Sequence, residues 1–258
     1  MNRIKGRIVL ITGASSGIGR ACARAFAENG ARLALAARRA ERLEELRKEL
    51  TDAHGVEVRA FELDVRDRRA VERLRQELDE IDFMPEVLIN NAGKAKGLDP
   101  IQSGNLDHWD EMIDTNVKGL LYVTRAFLPR MVELDRGHVV NIGSISGMWV
   151  YPDGAAYCAT KFAVRALNLG MNIDLCGTKV RVSSVDPGAV DTEFSEVRFD
   201  GNRERAEKVY EGFQPLRGED VADAVCYVVN APEHVDVFSI MLMPTAQRHA
   251  QFLHRESS

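Results

Sequence analysis

Apolar runs alternate with helical apolar periodicity along almost the whole chain. Strand-like runs are predicted at 7–12, 31–37, 57–63 and 86–90, each followed by a helical pattern at 17–29, 40–50, 67–80 and 107–133. The second half continues with a strand at 138–143, a helix at 155–176, a strand at 179–185, helices near 203–212 and 218–230, and a last strand near 236–243. Strands separated by helices require crossover connections, so the pattern predicts a single-domain α/β fold over 1–258, a doubly wound parallel sheet with helices on both faces. Ligands of such sheets bind at the carboxyl ends of the strands, which directs attention to those ends.

The first junction is Thr12-Gly-Ala-Ser-Ser-Gly-Ile-Gly19. Gly13, Gly17 and Gly19 lack side chains, so main-chain amides near Ser15, Ser16 and Ile18 come within reach of a phosphate, and the following helix adds its N-terminal partial charge. The spacing departs from the general Gly-x-Gly-x-x-Gly dinucleotide pattern, and a simple glycine turn is the competing explanation.

The second strand ends in Arg38-Arg39 where an acidic residue would favour NAD. A guanidinium fork there suits the 2'-phosphate of NADP, unless the arginines only open an exposed helix. Asp64 and Val65 end the third strand and suit an adenine ring, although Asp after a strand also caps helices. Asn91, Ala92 and Gly93 end the fourth and let the backbone approach a ribose, or make a turn.

Within 107–133, Asn116 and Gly119 are poor helix residues and predict a local distortion holding a water, while Pro129 is expected to bend the last turns. Trp109, Met112 and Ile113 are expected in the core. Ser144 follows the fifth strand. Thirteen residues later Tyr157 and Lys161 stand four apart, on one helical face.

A free phenol is only about 0.1% ionised at neutral pH, and lowering its pKa by about 3 units takes about 4 kcal/mol. An ammonium about 4 Å away supplies a Coulomb energy of that order. Lys161 is thus expected to activate Tyr157 as general base in oxidation and general acid in reduction. Ser144 is expected to hold the substrate oxygen.

These motifs resemble those of the short-chain dehydrogenase/reductase family, over about residue 6 to at least 245. The resemblance implies a Rossmann-like fold and a catalytic tetrad of Asn116, Ser144, Tyr157 and Lys161. It further implies that Tyr157 and Lys161 also bind cofactor, and that Pro187, Gly188, Val190 and Thr192 form a loop over nicotinamide and diphosphate. Within the family, the stretches 34–39, 113–126, 141–147, 192–199 and 243–245 are similar to NADP-dependent 3-hydroxy acid dehydrogenases. Those act on serine, allo-threonine and related acids, or reduce malonic semialdehyde.

A small 3-hydroxy acid is the implied substrate, with residues 188–215 covering it. Arg198 is either the carboxylate partner or a surface arginine paired with Glu193 or Glu196. Reduction of another carbonyl class (ketoacyl thioesters, sugars or steroids) and non-catalytic sensing of NADP(H) are the alternatives. Family analogy implies a homotetramer pairing the helices at 107–133 and 155–176, with the tail 247–258 frayed or lying on a neighbour.

Composition narrows the partners to small molecules. The formal charge of -5 is spread without a basic stripe, which argues against nucleic acid. No apolar segment approaches the roughly 20 residues that span a bilayer, and Met1–Gly6 leads into a strand without a secretory leader, so a cytoplasmic enzyme is expected. Cys22, Cys158, Cys176 and Cys226 show no Cys-x-x-Cys spacing. They are expected to be reduced, buried thiols, with Cys158 the accessible one, and no metal site is expected.

Overall fold

The computed structural model describes residues 2–256. Seven strands form one sheet: β1 (Ile8–Thr12), β2 (Arg32–Ala37), β3 (Val58–Glu62), β4 (Val87–Asn90), β5 (Gly137–Ile142), β6 (Val180–Pro187) and β7 (Ser239–Leu242). All pairings are parallel, in the order β3-β2-β1-β4-β5-β6-β7. β1, β4 and β5 are buried throughout, as strands covered on both faces must be, and their sequences carry apolar residues without alternation.

One face is covered by α1 (Gly17–Glu28), α2 (Ala40–His54) and α9 (Gly218–Asn230). The other is covered by α3 (Arg68–Glu80), α5 (Leu120–Glu133) and α6 (Ala155–Asp174). The strand order reverses between β1 and β4, which opens a crevice at their carboxyl ends.

The helix expected over 107–133 is three pieces: α4 (Leu106–Ile113), a π-helical segment (Asp114–Gly119) and α5. Gly119 explains the close fit there, because a β-carbon on it would lie 2.7 Å from Val65 Cγ2. α5 continues through Pro129 to Glu133. The helix expected at 203–212 is only α8 (Arg203–Glu207), because Tyr210 is drawn inward to bond Ser195 Oγ and the Val190 carbonyl, each at 2.7 Å. α2 runs four residues beyond its expected end to a left-handed cap at Gly55, and the last strand is shorter than 236–243.

Buried amides fix α6 against the sheet. Asn90 Nδ2 donates to Asn141 Oδ1 at 3.0 Å and to Thr124 Oγ1 at 2.9 Å, and Asn141 Nδ2 donates to Asn168 Oδ1 on α6 at 2.9 Å. These bonds reward a single angular setting of the helix, which carries Tyr157 and Lys161, and leave only Asn90 Oδ1 of the Asn90 and Asn141 amides without a partner.

The tail does not fray over its described part. Gln247 is buried, His254 N donates to the Ala246 carbonyl, and Glu256 N donates to the Gly212 carbonyl, so these residues pair with their own chain. Ser257 and Ser258 lie outside the described residues. Two expectations for the cysteines fail: Cys176 is exposed and Cys226 half-buried, while Cys158 is buried on the inward face of α6. No helix among the described residues is long and apolar enough to cross a membrane.

Candidate active site and cofactor cleft

A cleft of about 310 Å³ lies at the carboxyl ends of β1, β4 and β5 and is lined by the site residues singled out in the sequence except Gly19, Asn116 and Arg198, the last of which lines a small hollow on the other side of Tyr157. Its floor is the turn between β1 and α1. Gly13 has φ +67°, and a β-carbon on Gly19 would lie 2.4 Å from the Gly13 carbonyl oxygen, so the turn closes only around glycine.

Thr12 Oγ1 accepts from Asn91 N at 3.1 Å and Ala92 N at 3.0 Å, and Asn91 Nδ2 donates to the Thr12 carbonyl at 2.8 Å. These bonds weld the β4 turn to the glycine turn. Ser15, Ser16, Gly17, Ile18, Asn91, Ala92 and Gly93 line the resulting cradle, with Pro187, Gly188, Val190 and Thr192 opposite.

At the far end, Arg38, Arg39, Asp64 and Val65 line the cleft. Arg39 is the better anchored arginine: Nε donates to Ser15 Oγ at 3.2 Å, Nη2 to Ser16 Oγ at 2.6 Å, and Nη1 to Glu193 at 2.8 Å. Asp64 is bonded by Arg66, with Nη2 to Oδ2 at 2.6 Å, which holds its carboxyl below the ordinary range. The helix cap weighed for Asp64 is supplied three residues later by Asp67, which accepts from Arg69 N and Ala70 N.

The reacting end is built on α6 and β5. Tyr157 and Lys161 are both buried and both line the cleft. Lys161 Nζ donates to the Ile142 carbonyl at 2.9 Å, and burial pulls its pKa down to about 8, partly offset by Asp186. Ser144 stands at the end of β5, in extended conformation, and its Oγ accepts from Ser146 N at 3.0 Å.

The phenol departs from expectation. In the protein alone its pKa is pushed above its ordinary value, because burial outweighs everything else. Tyr151 adds to the rise, and the groups that oppose it are the Ser144 hydroxyl and the Arg198 guanidinium. Lys161 is not among the groups that act on the phenol, so the expected lowering by Lys161 is not found.

Asn116 is also held differently. Its Oδ1 accepts from Lys94 N, and its Nδ2 donates to the Lys94 carbonyl and to Thr160 Oγ1, at 2.8 to 3.0 Å. Both amide protons are used on protein, so the side chain staples the π-helical segment to the β4 turn and to α6.

Arg198 ends α7 (Phe194–Arg198), a short helix whose Phe194 meets Tyr157 edge to face at 5.7 Å. Neither surface ion pair considered for Arg198 forms. Glu193 binds Arg39 and Arg42, Glu196 faces Arg203, and Arg198 Nε donates to the Gly97 carbonyl at 3.0 Å. Its guanidinium carbon lies 5.9 Å from the Tyr157 ring centre and 5.4 Å from that of Tyr151, and Nη2 is buried without a partner.

Tyr151, Phe194, Arg66, Lys94 and Asp186 escaped the reading of the sequence. Only Asp186 had a visible signal, as an acid directly before Pro187-Gly188 at a strand end. Met112 is buried as expected and packs with Tyr157; Trp109 lines the small hollow beside it. Ile113 is 42% exposed, because its side of α4 faces solvent.

A cradle for a diphosphate at the first crossover, a buried Tyr and Lys on one helix, and a serine at the end of β5 together define a dinucleotide-linked oxidoreductase. The chain belongs to the short chain dehydrogenase family, whose model matches residues 7–203. It is 47% identical over 244 residues to the NADP-dependent 3-hydroxy acid dehydrogenase YdfG of Salmonella typhi, covering 94% of this chain and 97% of that one. Sulfoacetaldehyde reductase 2 of Chromohalobacter salexigens is 45% identical over 246 residues, covering 95% and 97%. The closed form of a serine dehydrogenase complexed with NADP+ superposes with a TM-score of 0.89 at 43% identity, over 96% of this chain and all of that one.

Proposed function

We propose that this enzyme is an NADP-dependent dehydrogenase acting on a small 3-hydroxy acid such as serine or allo-threonine, or on malonic semialdehyde in reduction. The observation that carries the substrate class is Arg198: a guanidinium within 6 Å of the Tyr157 ring centre, with one buried nitrogen unpartnered. Such a donor is costly to leave unpaired, and a carboxylate two bonds from the reacting carbon would satisfy it. Relatives named for 3-hydroxy acids and for serine support the same reading.

The cleft residues fit NADP. Gly13 and Gly19 let the first turn close tightly on Asn91 and so expose its amides to the cleft, and Arg38 and Arg39 stand where a 2'-phosphate would be neutralised. Bound there, the cofactor supplies the nicotinamide that accepts or returns a hydride.

The chain's own groups handle the proton and the charge. Tyr157 gives its proton to the carbonyl oxygen in reduction and recovers it in oxidation. Ser144 bonds the same oxygen and stabilises charge that develops on it. Lys161 brings positive charge to the cleft and offers protons to ribose hydroxyls. Asn116 holds the π-helical segment that walls the site.

Phe194 and residues 188–215 cover the substrate, with α7 presenting Arg198. The reading also includes assembly as a homotetramer in the cytoplasm. It is supported by apolar side chains exposed along α5 and α6, including Leu121, Phe162, Leu169 and Ile173, and by four unpaired cysteines.

The test is NADP-dependent oxidation of L-serine, L-allo-threonine and 3-hydroxypropionate beside simple secondary alcohols, by the native enzyme and by Arg198→Ala. A charge-assisted bond is worth about 1.5–3 kcal/mol, so KM for the acids should rise about tenfold to a hundredfold in the variant, with the simple alcohols unaffected. Equal loss on both classes, or none, would remove Arg198 from the site.

A further inference from the structure

Asp186 is the penultimate residue of β6, just before Pro187, and is only 4% exposed. A carboxylate withdrawn from water is costly unless donors surround it. Here each oxygen has one: Ser184 Oγ donates to Oδ1 at 2.8 Å, and Ser239 Oγ on β7 donates to Oδ2 at 2.9 Å. The main-chain amide of Ser144 is directed at the same group. Burial pushes this carboxyl above its ordinary range, and the two hydroxyls, with the charge of Lys161, act the other way, in favour of the anion. A β-carbon on Gly143 would come 1.9 Å from Oδ1, so the carboxylate lies directly beneath the turn that presents Ser144.

The cation on the same turn is Lys161: its buried ammonium donates to the carbonyl of Ile142, the residue next to the Gly143 under which Asp186 lies. The acids on the other elements packed around Lys161 are already committed. Glu111 on α4 is bonded to Lys94, and Asp114 in the π-helical segment is bonded to Lys118 at 2.7 Å. Tyr157, on the same helix, is a phenol whose burial favours the neutral form. Asp186 is the charge that acts on Lys161.

We propose that Asp186 is a positioning residue of the reaction centre, a buried counter-ion that keeps the ammonium of Lys161 charged and at the same time holds the Ser144 turn. It touches neither substrate nor cofactor; it acts through those two groups, and the proposal rests on the reading of Tyr157 and Lys161 given above. Removal of an opposite charge at close range moves a neighbouring pKa by about one unit or more, and for an ammonium the movement is downward.

The test is a titration of full-length protein carrying lysine labelled with ¹³C at Cε, with the Lys161 resonance assigned by its loss in Lys161→Met. The midpoint should lie near pH 8 in the native protein. It should fall by about one unit or more in Asp186→Asn, with the thermal transition retained. The alkaline limb of carbonyl reduction should move to lower pH by the same amount.

Asp186→Ser, which leaves space under Gly143, carries the same expectation, so a folding failure of the amide variant does not end the test. An unmoved Lys161 midpoint in either folded variant overturns the proposal. Because the resonance is read without turnover, it is independent of the catalytic reading. A shifted midpoint beside a fully active Tyr157→Phe enzyme would instead overturn the assignment of Tyr157.

Discussion

Tyr157 shows how one residue's chemistry depends on what surrounds it. Its type and its spacing from Lys161 were legible in the sequence, but the sign of its pKa shift was not, because burial by Phe194 and Tyr151 follows from tertiary packing. The consequence is directional. Burial favours the protonated phenol, the form that gives a proton in reduction.

Lys161 sets a second condition. An ammonium is charged below its pKa and neutral above it, so with a value of about 8 it stays charged at pH 7 and loses its proton just above. In the proposed reaction the kcat/KM for carbonyl reduction should therefore hold up to about pH 8 and fall beyond it. A pH profile flat to pH 10 would show that the charge on this lysine is not used.

At the scale of elements, the long alternating segments were readable because strands covered on both faces must be apolar throughout and their helices amphipathic. A five-residue helix such as α7 is too short for a 3.6-residue period to register, whereas α8 was legible as a helix but was expected to run five residues further. The π-helical segment was half legible: Asn116 and Gly119 marked a weak point, while its cause, the approach of Val65, is a contact across more than fifty residues.

The turn between β1 and α1 was the most legible element, and it makes a sharp prediction. Gly19→Ala would drive a methyl group against the Gly13 carbonyl and the Asn91 amide, both 2.4 Å away. The turn must then open, and NADP affinity should drop by about tenfold or more, which corresponds to about 1.4 kcal/mol. Titration of NADPH fluorescence reads this directly, and an unchanged affinity would show that the diphosphate lies elsewhere.

For the whole molecule, the sheet's topology and the cleft at its switch point follow from the chain's alternating pattern, whereas assembly does not. Leu121 and Phe162 are each about 40% exposed and Ile173 is 75% exposed, on helices α5 and α6. Light scattering at micromolar concentration should give a mass near four times the 28.7 kDa of one chain, and substitution of charged residues for Phe162 and Ile173 should lower it. A single-chain mass for the native protein would contradict the proposed tetramer.

The central claim is that the phenol of Tyr157 moves the proton in a reaction whose cofactor is held independently by the glycine turn and the Arg38-Arg39 end of the cleft. The most direct measurement compares native enzyme with Tyr157→Phe, reading NADPH binding by fluorescence and hydride transfer in a single turnover. The account predicts NADPH affinity within about threefold of native and a transfer rate lower by at least about a hundredfold. Transfer at a near-native rate, with the cofactor bound normally, would contradict it.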